Sequence, residues 1–133
     1  MLSLLGKWRL IQNNDFNEFL IFTQTSWFER KIAENSNINV EIKKINENIY
    51  HKSIESLFYN TKENITLDNT FKLYDKIQKR YSYNNDRIKT DIIGTIVNWT
   101  ESIFLNDNNQ LVIEYVWTEN GTNQHASQVF DKS

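Results

Sequence analysis

Small clusters of asparagine and aspartate recur along this chain at short intervals, and they constrain its fold more than any other feature. They fall at Asn46-Glu47-Asn48, Asp68-Asn69, Asn84-Asn85-Asp86, Asp107-Asn108-Asn109 and Asn120-Gly121. Asn and Asp tolerate left-handed backbone angles and hydrogen-bond to their own backbone, so such clusters mark turns. The segments between them are rich in Ile, Val, Thr, Tyr and Phe, the residues that suit a pleated, half-buried surface. With no Pro, only three Gly and no linker-like stretch among 133 residues, 1–133 reads as one domain. The pattern is that of an antiparallel meander.

Strands are expected near 6–13, 39–45, 49–57, 59–67, 70–76, 77–83, 87–93, 95–105, 110–117 and 123–130. Alternation is clearest late in the chain: Ile113, Tyr115 and Trp117 share one face, and Ala126, Gln128 and Phe130 share another. Between the first two strands the period changes. Asp15 with Glu18, and Ser26 with Glu29, have capping-box spacing. Phe16, Phe19 and Leu20 then share one helical face, as do Phe28 and Ile32. Two helices inserted after the first strand fit across the open end of a barrel, and closing the barrel hides the sheet edges. The expected fold is all-β: a ten-stranded antiparallel up-and-down barrel with a helix-turn-helix lid after its first strand.

Composition narrows the function. Eighteen aromatics (eight Phe, six Tyr, four Trp) argue against disorder, and a formal net charge of −2 gives no general affinity for nucleic acid. The absence of cysteine excludes disulfides and thiol catalysis and is compatible with a reducing cytoplasm. The run Met1–Leu5 is too short for a signal peptide, and no segment has the roughly 20 apolar residues of a membrane span. Sequons at Asn64, Asn98 and Asn120 are then accidents of an Asn-rich chain. Only two histidines occur, His51 and His125, in no metal-ligand spacing. No Gly-rich phosphate loop, nucleophile constellation or cofactor motif is present, so no catalytic, metal or cofactor residue is assigned.

Gly6-Lys7-Trp8 on the first strand places a bulky ring at the closed end of a barrel, with Gly6 allowing the backbone to bend beside it. Together with Phe16, Phe19, Leu20 and Arg30-Lys31-Ile32-Ala33, it resembles the intracellular lipid-binding proteins, the fatty-acid-binding and cellular retinol-binding proteins. The resemblance runs over the first 35 or so residues. It implies one apolar ligand, a fatty acid, retinoid or similar lipid, held inside the barrel of a cytoplasmic monomer. Near the last strand, Gln128-Val129-Phe130 stands where fatty-acid binders carry Arg-x-Tyr, and it looks like the retinol-binding branch. A Gln amide offers neutral hydrogen bonds where an Arg would neutralise a carboxylate. The second polar anchor of the family falls on Phe104, or on Glu101 of Trp99-Thr100-Glu101 if the hairpin around Asp107 is longer.

Ile113, Tyr115, Trp117 and Phe130 would line the cavity, with Gln128 orienting a polar head and Phe16 and Leu20 packing from the lid. Ser56-Leu57-Phe58 matches the portal of the family, which makes Phe58 the expected gate. Tyr50, Lys52, Ile54, Ser56 and Phe58 share a face. If it is the inner one, Lys52 is a cation in the cavity that favours a fatty acid over its alcohol; otherwise Lys52 is a solvated strand lysine. Arg30, Lys31, Lys76, Lys79 and Arg80 would form a basic rim for transient membrane contact, or a scatter of solvated charges. The rival to non-enzymatic lipid carriage is a barrel filled by its own aromatics and used as a protein-interaction module. An enzyme on the same barrel has no assignable mechanism.

Overall fold

In the computed structural model, residues 2–35, 37–56 and 60–133 are described. Phe58, the expected gate, lies outside them. After a short 3-10 turn at Leu2–Leu4 come β1 (Gly6–Asn14), α1 (Phe16–Phe22) and α2 (Trp27–Asn35). Nine further strands follow: β2 (Asn39–Lys44), β3 (Ile49–Glu55), β4 (Asn60–Thr66), β5 (Lys72–Tyr74), β6 (Ile77–Asn84), β7 (Arg87–Ile93), β8 (Asn98–Leu105), β9 (Leu111–Glu119) and β10 (Thr122–Lys132). They form one antiparallel sheet in the order β4-β3-β2-β1-β10-β9-β8-β7-β6-β5. All ten expected strands are present. The expected 95–105 strand starts later, because Gly94 N–H donates to the Val97 carbonyl at 3.0 Å and makes 94–97 a turn.

The punctuation acts as its chemistry requires. Asn69, Asp75, Asn85, Asp86, Asn109 and Asn120 all adopt left-handed backbone angles, with φ between 53 and 59°. The side chains of Asn46 and Asn106 accept backbone N–H bonds inside their own turns. At the helices the outcome is mixed. Ser26 Oγ accepts from Glu29 N–H at 3.2 Å and caps α2. Asp15 is itself left-handed and makes no side-chain cap, so α1 starts without the expected capping box. Phe28 does not share a buried face with Ile32 either, since it is 68% exposed.

At the far end from the helices, Trp8 is buried and its indole N–H donates to the Leu4 carbonyl at 3.1 Å. The Lys132 ammonium lies 4.5 Å over the indole ring and donates to the Leu5 carbonyl at 2.6 Å. Gly6 has φ +123°, and a side chain there would collide with Lys132 Nζ. The closed end is therefore a capped aromatic plug.

The sheet curls without joining its own edges. β4 and β5 stand at opposite ends of the strand order and, among the described residues, share no ladder. The expected ten-stranded barrel is present as a curled sheet, and a side-chain bridge and a backbone hydrogen bond cross the opening between its edges. Glu63 of β4 bonds Lys79 of β6 at 2.9 Å, and Asn69 N–H donates to the Tyr81 carbonyl at 3.0 Å. Short β5 explains this, because a strand of three residues leaves little edge with which to pair.

Candidate functional site

Strand alternation decides what faces inward. In β9 and β10, Leu111, Ile113, Tyr115 and Trp117 pair across to Phe130, Gln128, Ala126 and Gln124, and all but Gln124 are buried. Phe130, Tyr115, Trp117, Ile113 and Gln128 thus lie on the face expected from sequence. Tyr115 hydroxyl donates to Gln128 Oε1 at 2.8 Å, and Gln128 Nε2 donates to Asn13 Oδ1 at 3.2 Å. This chain of neutral hydrogen bonds joins β9 to β1 through β10. A primary amide has two donors and two acceptor sites, so the Gln128 group keeps capacity beyond these two bonds. The Trp117 indole N–H, on the same inner face, is buried without a partner.

Above this face lies α1. Its sequence places Phe16, Phe19, Leu20 and Phe22 toward the sheet, and Phe19 goes deepest. The Phe19 ring stacks on Tyr115 at 4.4 Å and meets Trp99 and Trp117 at 5.6 Å each. Phe16 meets Tyr115 at 5.4 Å and Phe22 stacks on Trp117 at 5.4 Å. Phe16 and Leu20 are half-buried and pack against the core. Such ring pairs contribute about 0.5–1.5 kcal/mol each beyond their area. Beside Phe22, a cleft of about 600 Å³ opens between α1 and the β7–β8 turn, with Trp99 and Trp117 in its wall and Ile93 and Ile96 at its rim.

The opposite wall is ionic. Tyr50, Lys52 and Ile54 pair with Lys44, Ile42 and Val40 of the inward face of β2, so Lys52 is buried inside. Its cation is not free. Lys52 Nζ lies 3.2 Å from Glu63 Oε1, while Lys79 Nζ lies 2.9 Å from Glu63 Oε2, so each carboxylate oxygen serves one ammonium. Burial would push the Glu63 carboxyl up, but the two ammonium charges and their hydrogen bonds outweigh it and hold the group down at about 2. Burial likewise pulls the Lys52 ammonium down, and the charges of Glu63 and Glu101 overcome this to leave it above its ordinary range. The Tyr81 hydroxyl, buried beside this cluster without a hydrogen bond of good geometry, is held protonated by desolvation first and by the Glu63 charge second.

Two expectations are corrected by register. Phe104 faces outward, where the Arg87 guanidinium stacks 3.8 Å over its ring. The inner positions of β8 are those opposite Ile113 and Tyr115, namely Ile103 and Glu101. The loop over 106–110 sets this register, and a one-residue slip moves every side chain to the other face. Glu101, the alternative anchor, accepts from the Trp99 indole at 3.1 Å. The basic rim is also dispersed: Lys79 points inward to Glu63, and Arg80 lies against Asp91 with contacts at 2.7 and 3.0 Å. Among the described residues no cluster of His, Cys, Asp or Glu is arranged to hold a metal ion. No helix among them is long and apolar enough to cross a membrane.

No family model and no curated protein sequence matches the chain. Solved structures do. Lipid binding protein 8 of Caenorhabditis elegans, in its apo form, superimposes with a TM-score of 0.84 at 17% identity, over 100% of this chain and 97% of that one. The fold is that of the intracellular lipid-binding proteins. Fatty-acid-binding protein 1 of Echinococcus granulosus matches with a TM-score of 0.80 at 13% identity, over 99% of this chain and 98% of that one. The Schistosoma mansoni fatty acid binding protein, solved in complex with arachidonic acid, matches with a TM-score of 0.79 at 14% identity, over 100% and 98%.

Within this lipid-binding fold, sequence reasoning missed Glu63, Phe19 as the deepest lid residue, and Trp99. Glu63 had a signal: Thr61, Glu63 and Ile65 alternate as an inward face of β4 opposite Ile54, Lys52 and Tyr50. A carboxylate on that face, directly across from an inward lysine, marks an ion pair. Phe19 is the central aromatic of the Phe16–Phe22 helix, so its depth follows from its place on the apolar stripe.

Proposed function

We propose that this protein binds and carries a small hydrophobic ligand, a fatty acid, retinoid or similar lipid, inside the barrel, without catalysing a reaction. The observation that carries this reading is the inner face itself. It is mainly apolar over β1, β2 and β7 to β10, with its polar groups at Tyr115–Gln128, at Lys52–Glu63–Lys79 and at the paired Thr90 and Glu101, under a helix that covers the mouth. Binding would be driven by desolvation, at about 0.8 kcal/mol gross per buried methylene before ordering costs. Tyr115, Trp117, Ile113 and Phe130 would line the chain of the ligand, Gln128 would meet its head, and Phe16 and Leu20 would close over it. Phe58 remains the proposed gate.

The same fold in a protein solved with arachidonic acid supports the reading. We further place the protein in the cytoplasm as a monomer. Its α2 helix, with exposed Trp27 and Phe28 next to Arg30 and Lys31, would touch membrane surfaces transiently. One observation favours the rival, a barrel filled by its own rings: Phe19 already stacks on Tyr115 at 4.4 Å. Native mass spectrometry of gently purified protein separates the two. Co-purified lipid supports carriage, and a bare mass together with failure of every lipid class to displace an environment-sensitive apolar dye supports the filled barrel.

A further inference from the structure

We propose that Glu63 is a built-in carboxylate occupying the buried cation site of the barrel, so that the ligand carried has an uncharged head group, such as an alcohol, ester or amide. The inference rests on the carrier reading above and narrows its ligand class. Lys52 and Lys79 face inward from β3 and β6, and Glu63 divides its two oxygens between them at 3.2 and 2.9 Å. Glu101 adds a second inward carboxylate close enough to act on Lys52. Two ammonium groups and two carboxylates sum to zero. Lys72, which shares the inward face of β5 opposite Lys79, is engaged by Asp68 at 2.7 Å.

An incoming carboxylate therefore meets no uncompensated cation in this cluster. It must either expel Glu63, which is tethered to β4, or sit as a third negative group in a desolvated interior, which is costly. On the other wall the hydrogen-bonding atoms of β9 and β10 are neutral, the Gln128 amide, the Tyr115 hydroxyl and the partnerless Trp117 N–H, and Glu101 across from Tyr115 is negative. The neutral groups suit a hydroxyl or carbonyl oxygen. The bridge also spans the unpaired edges of β4 and β5, and a purely structural role would leave ligand preference untouched. The test turns on that difference.

Lauric acid and dodecanol are compared at neutral pH as competitors of a bound apolar dye. The wild-type protein is expected to favour dodecanol by about tenfold or more, and Glu63→Gln should shift the ratio toward laurate by at least about tenfold, the worth of one charge-assisted contact. The double variant Lys52→Met with Glu63→Gln removes the most buried pair together and still frees Lys79. It should shift the ratio in the same direction even if the single variant fails to fold. A wild-type preference for laurate of tenfold or more, or an unchanged ratio in a folded variant, overturns the proposal while leaving lipid carriage intact. Displacement by neither competitor from folded wild-type protein, joined by failure of every other lipid class and a bare native mass, overturns the carrier reading as well.

Discussion

Replacing Glu63 by Gln removes one negative charge while keeping the shape of the side chain, and its effect on stability has a defined pH profile. In the folded protein the carboxyl is held at about 2, against an ordinary 4.5. At about 1.36 kcal/mol per tenfold, that difference is worth roughly 3 kcal/mol. A quarter of the side chain remains exposed, and screening there trims the figure to about 2–3 kcal/mol. Because the folded-state value is depressed, the stabilisation is fully present above the unfolded value near 4.5 and is lost as pH falls through about 2. Urea denaturation of both proteins, followed by tryptophan fluorescence at several pH values from 7 down to 2.5, reads this directly. The gap between wild type and Glu63→Gln should be widest at pH 7 and close steadily below pH 4.5, since protonated Glu and Gln are both neutral. A gap that stays constant across that range would refute the assignment of Glu63 as the ionised hub of the cluster.

Three other outcomes are expected. Phe19→Ala should cost about 3–5 kcal/mol in urea denaturation, because a fully packed ring is lost from contact with Tyr115, Trp99 and Trp117; a loss below about 1 kcal/mol would mean that α1 rests on the barrel without being anchored in it. Gln128→Leu removes the buried hydrogen bond from the Tyr115 hydroxyl, so stability should fall by about 1 kcal/mol and dodecanol binding should weaken by about 1 kcal/mol, while a hydrocarbon analogue is barely affected. In hydrogen exchange without ligand, the backbone of α1 and α2 should open more readily than β9, and equal protection of the two would remove the basis for a moving lid.

The amino-acid sequence by itself determined the order and kind of the elements. Asn85-Asp86 and Asn120-Gly121 enforce tight turns because those residues accept left-handed angles, and the strands between them follow from period-two alternation. That alternation also placed Tyr115, Trp117, Gln128 and Phe130 on the inner face, and Gly6-Lys7-Trp8 marked the closed end. These are local properties, readable from a few neighbouring residues. Only the tertiary structure decided the rest. Phe104 turned outward because the loop over 106–110 fixed a register that no single strand encodes. Lys52 lost its freedom to Glu63 on the next strand and Glu63 gained Lys79 from across the β4–β5 opening, sixteen residues away. Charge balance inside a barrel is a sum over strands brought together by folding, and the proposed preference for a neutral ligand rests on that sum.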